Sequence, residues 1–187
     1  MKAKAAPRGG AQTLRVIGGS WRGRRIRFPD VPGLRPTPDR VRETLFNWLG
    51  QDLSGRRCLD LFSGSGALGF EAASRGAREV EMLDANAQVV KSLRDTAVLL
   101  GASTVRVARG DALEFLRQAP SPFDVVFLDP PFGSGLDAAA LALLAPWLAP
   151  GGRVYFESGS EYLPRDGWRV HRAGRAGQVH YHLLERE

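Results

Sequence analysis

The sequence predicts an α/β protein built around a central, mostly parallel β-sheet. From Arg57 onward, short apolar runs alternate strictly with helix-like stretches, as expected where crossover helices join parallel strands. A glycine-rich loop follows the first of these apolar runs, at the junction with the next helix. The chain then closes with two strand-like runs that have no helix between them. These runs predict an antiparallel hairpin added at one edge of the sheet.

The size and composition favour one compact domain with a small appendage. The chain has 187 residues, 43% of them hydrophobic, which is enough for a substantial core. A single cysteine and three histidines show no disulfide or metal-ligand spacing, so we expect no metal. No apolar run approaches the roughly 18 residues of a membrane span, and no signal-like segment is evident. We therefore expect a cytoplasmic protein without membrane contact, and a monomer.

The net charge of +6 is distributed unevenly. Residues 1–42 hold eleven Lys and Arg against two Asp and Glu, so the rest of the chain is mildly acidic. Clustered positive charge attracts phosphate backbones, which favours a polyanionic partner over a purely solvated surface. Residues 1–12 contain mainly small, basic and breaker residues, so we expect them to form a flexible tail.

Residues 13–50 predict a basic hairpin followed by a docking helix. Alternating apolar and polar residues flank a Gly/Ser break within residues 13–28, as in two short strands joined by a turn. Five hairpin side chains are candidates for contact with such a polyanion, by phosphate pairing or stacking: Trp21, Arg22, Arg24, Arg25 and Arg27. The alternative is that these arginines form an ordinary solvated face.

The helix that follows has a recognisable start. Thr37 offers an N-cap hydroxyl, Pro38 suits the first helical position, and Asp39 places an acid in the first turn. The apolar spacing predicts that the helix continues to about Leu49.

Residues 51–187 form the predicted sheet domain. Its strands are expected near residues 57–62, 78–84, 104–109, 124–129 and 153–158, and its helices near 65–75, 86–100, 111–118 and 136–148. The terminal hairpin is expected over residues 168–173 and 178–185. His180 and His182 then share one face of an edge strand, and Cys58 lies in the core.

The loop after the first strand contains a G-x-G-x-x-G pattern at Gly64, Gly66 and Gly69. That spacing is typical of dinucleotide sites but is weak when taken alone. Asp60 precedes the loop at the strand end, where its charge would oppose a pyrophosphate and favour a cation. S-adenosylmethionine carries a sulfonium and an ammonium group and no phosphate, so it suits this loop better than a nicotinamide dinucleotide does.

Two further acids follow the next two strands. Asp84 ends the second strand, where its carboxylate can accept hydrogen bonds from both ribose hydroxyls of an adenosyl cofactor. Asp111 follows the third strand and can accept from the adenine amine, or cap the following helix, or do both. Acids after three successive strands favour an adenosyl cofactor.

The tetrapeptide Asp129, Pro130, Pro131 and Phe132 follows the fourth strand and should face the cofactor loop. The Asp129 carboxylate and the Pro130 carbonyl could accept the hydrogens of a planar nucleobase amine, and two prolines keep the loop stiff. Phe132 could stack on the base. The alternative is a strand-ending turn with Phe132 in the core, which the three preceding acids make less favourable.

Together these motifs resemble the RsmD-type family of bacterial 16S ribosomal RNA guanine-N2 methyltransferases. The likeness runs from Arg15 to Glu187 and is carried by the following segments: RVIGGSWRGRRI, GLRPTPDRVRETLFNWL, LDLFSGSGALGFEA, FLDPPF and AGQVHYHLLERE. The resemblance implies a Rossmann-like class I methyltransferase fold and methyl transfer from S-adenosylmethionine to one guanine N2 amine of 16S rRNA, in 30S particles or their precursors.

The resemblance also implies roles for individual residues. The cofactor would be held by Asp60, Gly64, Gly66, Asp84 and Asp111, and the target base by Asp129 to Phe132. Thr37 and Arg42 are further candidates, because their segment would cover the methionine end of the cofactor. Arg42 could instead pair with a neighbour on its own helix.

Three other functions stay open. A DNA adenine-N6 methyltransferase could use the same tetrapeptide, but the chain has no room for a separate target-recognition region. A non-catalytic ribosome-assembly factor could keep the fold and bind RNA without transferring a methyl group. A nicotinamide oxidoreductase lacks an evident proton donor near the site.

Overall fold

A computed structural model describes residues 12–164 and 167–187 of the chain. The strands of these ranges are β1 Gln12–Arg15, β2 Arg25–Phe28, β3 Arg57–Asp60, β4 Glu79–Asp84, β5 Val105–Arg109, β6 Phe123–Leu128, β7 Leu148–Ser158, β8 Trp168–Ala176 and β9 Val179–Arg186. The α-helices are α1 Asp39–Leu49, α2 Ala67–Ser74, α3 Ala87–Leu100, α4 Ala112–Leu116 and α5 Leu136–Leu144. Short 3-10 helices lie at Gly19–Trp21 and Ala145–Trp147. None of the helices in the described ranges is long and apolar enough to cross a membrane.

Seven strands form the central sheet in the order β5-β4-β3-β6-β7-β9-β8. The five strands from β5 to β7 are parallel, while β9 and β8 are antiparallel. The Rossmann-like fold class and the terminal hairpin are thereby confirmed. The expectation that His180 and His182 lie on an edge strand is wrong, because β9 inserts between β7 and β8. His182 is 1% exposed and stacks on Phe156.

Each face of the sheet has its own apolar core, because successive side chains of a strand point to opposite faces. In β6, Val125 and Phe127 join the core under the hairpin, α1, α2 and α3. Val126 and Leu128 join the second core, under α4 and α5. Cys58 is fully buried in the first core, as expected.

The predicted basic hairpin is present. β1 and β2 pair antiparallel, with Ile26 and Phe28 buried and the intervening Arg27 exposed. The connection between the strands presses against α2, and a Cβ atom on Gly19 would lie 1.8 Å from the Ser74 carbonyl oxygen. Only glycine fits there, so the turn sequence positions the hairpin. Of the predicted tail, residues 1–11 lie outside the described residues, and Gln12 begins β1.

The hairpin shares the first core with the sheet domain, through Leu14, Ile26 and Phe28. A domain boundary near residue 50 stays a prediction.

The end of α1 at Leu49 is confirmed, but its start is one residue later than predicted. Pro38 occupies the cap position and no side chain caps the helix. The Thr37 hydroxyl is instead hydrogen-bonded to Glu157 at the end of β7. A long-range partner therefore takes the side chain that local sequence assigned to the cap.

Candidate active site

The carboxyl ends of the parallel strands meet at one edge of the sheet, and acidic residues mark them. Asp60, Asp84 and Asp129 end or follow β3, β4 and β6, as the sequence predicts. β3 pairs with β4 on one side and with β6 on the other, so the strand order reverses beside Asp60. Ligands of open α/β sheets bind at such a point.

The glycine loop between β3 and α2 is a tight turn. Gly64 and Gly66 have φ angles of 48° and 79°, in the left-handed region that favours glycine. A Cβ atom on Gly66 would lie 2.6 Å from the Phe70 ring, whereas one on Gly64 would meet nothing closer than 3.8 Å. Gly66 is therefore required by packing. Gly64 leaves open space for the close approach of a ligand, and the backbone N–H groups that begin α2 lie beside it.

Asp60 is a buried acid at the end of β3. It is 3% exposed, and its Oδ2 accepts the Gly69 N–H at 3.1 Å. Burial raises the pKa of Asp60 to about 7; the Gly69 bond opposes this rise, and the charge of Asp84 adds to it. No cationic side chain of the described ranges forms an ion pair with Asp60. The Asp60 carboxyl therefore suits a cationic ligand group better than a phosphate.

Asp84 connects the glycine loop to α3. Its two oxygens accept the Gly64 N–H at 3.0 Å and the Asn86 N–H at 2.8 Å. Each oxygen keeps a further lone pair for a ribose hydroxyl. The carboxylate is thereby held still at the sheet edge.

Asp111 caps α4, accepting the Leu113 and Glu114 N–H groups at 2.9 Å each through one oxygen. Helix capping, one of the two predicted roles, is thus observed, and the other oxygen is available. An adenine contact stays a prediction.

The Asp129 to Phe132 segment follows β6 and forms a turn that hydrogen bonds hold in place. The Pro131 carbonyl accepts hydrogen bonds from the Ser134 hydroxyl at 2.6 Å and from the Ser134 N–H at 3.3 Å. The Pro130 carbonyl accepts none from the described residues, so it is available for a ligand. Phe132 is 59% exposed and does not fill the core. An exposed ring on a fixed turn suits stacking on a base.

Sequence reasoning missed one further acid at this edge, Glu157. It lies one residue before the end of β7, is 6% exposed, and accepts hydrogen bonds from the hydroxyls of Tyr155, at 2.5 Å, and Thr37. The sequence signal that could have identified it is its place near the carboxyl end of a strand, as with Asp60 and Asp84. The strand pattern alone does not predict which side chains Glu157 contacts.

Asp129 is half-buried beside these acids. Burial, then the charge of Glu157 and then that of Asp60, raise the pKa of Asp129 well above its ordinary value. Burial likewise raises the pKa of Glu157, against the lowering effect of the Tyr155 and Thr37 hydrogen bonds. Both carboxyl groups take up protons more readily than exposed acids do.

Arg42 lies beneath the hairpin and is fully buried. Its guanidinium donates to Glu71 at 3.2 Å, to Asp39 at 2.6 Å and to the Arg15 carbonyl at 2.9 Å. Glu71, on α2, also accepts the backbone N–H groups of residues 17 and 18. This geometry matches the alternative that Arg42 pairs with a neighbour on its own helix, and it favours an architectural role over a cofactor contact.

The hairpin arginines Arg22, Arg24, Arg25 and Arg27 are all exposed. Arg24 donates to the carbonyl of Leu99, one residue before the end of α3, at 3.3 Å. α3 has 14 residues and starts beside Asp84, so Arg24 lies about 20 Å from the cofactor loop. Trp21 packs against the core with part of its ring, and its backbone N–H donates to the Ser74 hydroxyl.

Comparison with known proteins places this arrangement in a family. The family model "Conserved hypothetical protein 95" matches residues 14–185. The Ribosomal RNA small subunit methyltransferase D of Escherichia coli K12 is 45% identical over 184 residues, covering 95% of this chain and 92% of the relative. The protein of the same name from Haemophilus influenzae is 40% identical over 180 residues, covering 92% and 93%.

Solved structures agree with the sequence relatives. Escherichia coli yhhF superimposes with a TM-score of 0.85 at 45% identity, covering 94% of this chain and 99% of the other. The Thermus thermophilus 16S rRNA N2 G1207 methyltransferase RsmC, solved with AdoMet and guanosine, gives a TM-score of 0.71 at 23% identity. The alignment covers all of this chain and 53% of the RsmC chain. At 23% identity this likeness shows only that the two proteins share a fold. By the family match and the sequence relatives, the chain belongs to the RsmD family of methyltransferases.

Proposed function

We propose that the protein transfers a methyl group from S-adenosylmethionine to the exocyclic N2 amine of one guanine in 16S rRNA. The placement of the Asp129 to Phe132 turn at the reversal of strand order, beside the glycine loop, carries this proposal. The names of the relatives support small-subunit ribosomal RNA as the substrate. We infer that 30S particles or their precursors present the guanine to a single copy of the protein.

The residues present fit S-adenosylmethionine. Gly64 leaves room for close approach, Asp84 can hold the ribose, and Asp111 can reach the adenine. The buried carboxyl of Asp60, which has no cationic side chain beside it among the described residues, favours the cationic end of the ligand. When bound, S-adenosylmethionine supplies an electrophilic methyl group on a positively charged sulfur.

The target amine would be oriented by two acceptors on one turn. The Asp129 carboxylate and the free Pro130 carbonyl can each accept one N–H of a planar amine, which directs the remaining lone pair. Phe132 can stack on the extruded base. Because positioning provides most of the acceleration in such a site, misplacing the amine should cost more than weakening its binding does.

The hairpin arginines would contact RNA that flanks the target. A guanine at Asp129 cannot reach Arg24, which lies about 20 Å from the cofactor loop. Such contacts would neutralise phosphates and orient the substrate without selecting a base.

Replacing Asp129 with Ala tests the proposed chemistry. We expect Asp129→Ala to keep the fold and S-adenosylmethionine affinity within about twofold, and to lower kcat by about 100-fold or more, because an acceptor for the reacting amine is lost. Single-turnover methyl transfer and calorimetric cofactor binding measure the two effects. Asp95→Ala is the control, since Asp95 is exposed and pairs with Lys91 on the surface. Unchanged turnover in Asp129→Ala would remove this residue from the mechanism.

A further inference from the structure

Glu157 lies beside Asp129 at the carboxyl edge of the sheet. β6 and β7 run parallel, with Phe127 opposite Tyr155 and Leu128 opposite Phe156. Continuing this register by one residue places Glu157 next to Asp129, on the face that Phe127 and Tyr155 share. Neighbouring strands are about 4.8 Å apart, so the two carboxyl groups are close enough to interact strongly.

The fold holds Glu157 in place without neutralising it. Two hydroxyls, from Tyr155 within its own strand and from Thr37 in the segment that precedes α1, donate to the carboxylate. No cationic side chain of the described ranges pairs with Glu157 or with Asp129. Burying an acid without a cation is costly, and a glutamine could accept the same two hydroxyl hydrogens at lower cost. The presence of a carboxyl group rather than an amide at this position therefore requires an explanation.

We propose that Glu157 is a positioning residue for methyl transfer, which keeps Asp129 able to take the proton that the target amine loses. This inference rests on the proposed function. Glu157 touches neither substrate nor cofactor in this account and acts only through Asp129. Through Thr37 it also fixes the segment that precedes α1 over the same edge.

The proton balance of the reaction explains the need for such a residue. The amine lone pair forms a bond to the methyl carbon, and the carbon–sulfur bond breaks with its electron pair left on sulfur. The positive charge passes to the amine nitrogen, which then loses one proton. The Asp129 carboxylate receives that proton and later releases it to solvent through the open side of the turn, where Phe132 and Pro131 are exposed.

The groups that face Asp129 determine how readily its carboxylate accepts a proton. Asp60 faces it from β3, and Glu157 and Tyr155 face it from β7. Tyr181 on β9 faces Tyr155 in turn. All of these groups are acids, so each ionised neighbour raises the pKa of Asp129, and Glu157 has the largest effect after burial. A higher pKa makes the carboxylate a better proton acceptor as long as it stays ionised when the substrate binds.

Glu157→Gln tests the inference, because it removes the charge and keeps an acceptor for both hydroxyls. The pKa of Asp129 should fall by about one unit in the free protein, as ¹³C NMR of carboxyl-labelled aspartate measures without any cofactor. The acidic limb of the kcat profile should move to lower pH by a similar amount, and the plateau should drop about threefold to tenfold. Affinity for S-adenosylmethionine should stay within about twofold.

Two matched variants accompany this test. Glu157→Asp keeps the charge and should restore the pKa of Asp129 towards that of the wild type. Glu81→Gln removes a half-buried carboxyl from β4 and should change neither reading, because Glu81 pairs with Leu59 and so lies on the opposite face of the sheet from Asp60.

The outcomes separate cleanly. If the Asp129 titration and the acidic limb stay in place in Glu157→Gln, the inference is overturned. If Glu157→Gln does not fold, the reciprocal experiment replaces it: Asp129→Asn should lower the pKa of Glu157 in glutamate-labelled protein, and no change would overturn the inference. If the wild type shows this coupling by NMR but methylates no RNA, the proposed function has failed, and the role assigned to Glu157 fails with it.

Discussion

Asp60 is a carboxyl group that the fold buries at the base of the glycine loop, with a backbone N–H as its partner and no cation. Glu157 is likewise buried and Asp129 is half-buried, and neither pairs with a cation in the described residues. Buried acids destabilise the folded state whenever they are ionised, so their presence at one edge of the sheet indicates a functional demand. The remaining buried acid of the described residues, Glu71, is instead paired, because it bonds two guanidinium groups.

Asp60 should make stability depend on pH. The ordinary pKa of this carboxyl is 3.8, and burial raises the pKa in the fold to about 7. Between these values the folded state binds more protons than the unfolded chain, so this group lowers the free energy of unfolding as pH rises. The decrease in the free energy of unfolding is complete above pH 7 and is on the order of 4 kcal/mol.

The substitution Asp60→Asn removes this dependence and keeps an acceptor for the Gly69 N–H. We expect the variant to be more stable than the wild type at pH 8, and the difference to shrink as pH falls to 5. Urea unfolding of both proteins across this range measures the difference. A wild-type advantage that persists at pH 8 would contradict the assignment of a raised pKa.

At the scale of elements, α2 has two roles. Its first residues follow the glycine loop, while Glu71 and Ser74 further along hold the hairpin connection. A shift of α2 would therefore move the cofactor loop and the hairpin together. Gly66 controls where this helix begins.

Gly66→Ala should be markedly destabilising, because the added methyl overlaps Phe70 and Leu93 and the φ angle of 79° is strained for alanine. We expect a loss of about 2 to 5 kcal/mol and weaker S-adenosylmethionine binding. Gly55→Ala is the matched control, since its φ of 76° is nearly the same but nothing lies within 4 Å of the added atom. Its cost should be about 1 to 2 kcal/mol, without any change in binding. Equal losses in thermal and binding measurements would show that packing at Gly66 is unimportant.

Much of this element structure was predictable from sequence. The alternating pattern yields the five parallel strands within a few residues, and strand-end acids identify Asp60, Asp84 and Asp129 before any coordinates. The start of α1 was missed because the Thr37 hydroxyl bonds Glu157, some 120 residues away. Glu157 itself was missed because its significance depends on the register between β6 and β7, which no local pattern encodes.

For the whole molecule, the basic hairpin and the active-site edge are separate surfaces joined through α2 and α3. Arg24 approaches the far end of α3, whereas Asp84 and the glycine loop lie at its beginning. The predicted stacking role of Trp21 is limited to the part of its ring that the core leaves uncovered. RNA that reaches both surfaces must span about 20 Å.

Reversing Arg24 and Arg25 to Glu should weaken RNA binding and reduce its salt dependence. Loss of two phosphate contacts should lower the slope of log K against log salt by about 1.5 to 2, while cofactor affinity is unchanged. Filter binding to 16S rRNA fragments over a salt series measures the slope. Arg117→Glu, exposed at the end of α4 on the opposite face, serves as control. A slope that stays at the wild-type value would show that the hairpin arginines form a solvated face.

Guanine-N2 methylation is measured by supplying labelled S-adenosylmethionine to the purified protein with unmodified 30S particles, naked 16S rRNA or duplex DNA, and identifying the modified nucleoside by mass. We expect label in RNA as N2-methylguanosine, and the better of the two RNA substrates identifies the assembly stage. Methyladenine in DNA would contradict this expectation and favour a DNA methyltransferase. Tight RNA binding with no label in any substrate would contradict it in favour of a non-catalytic assembly factor.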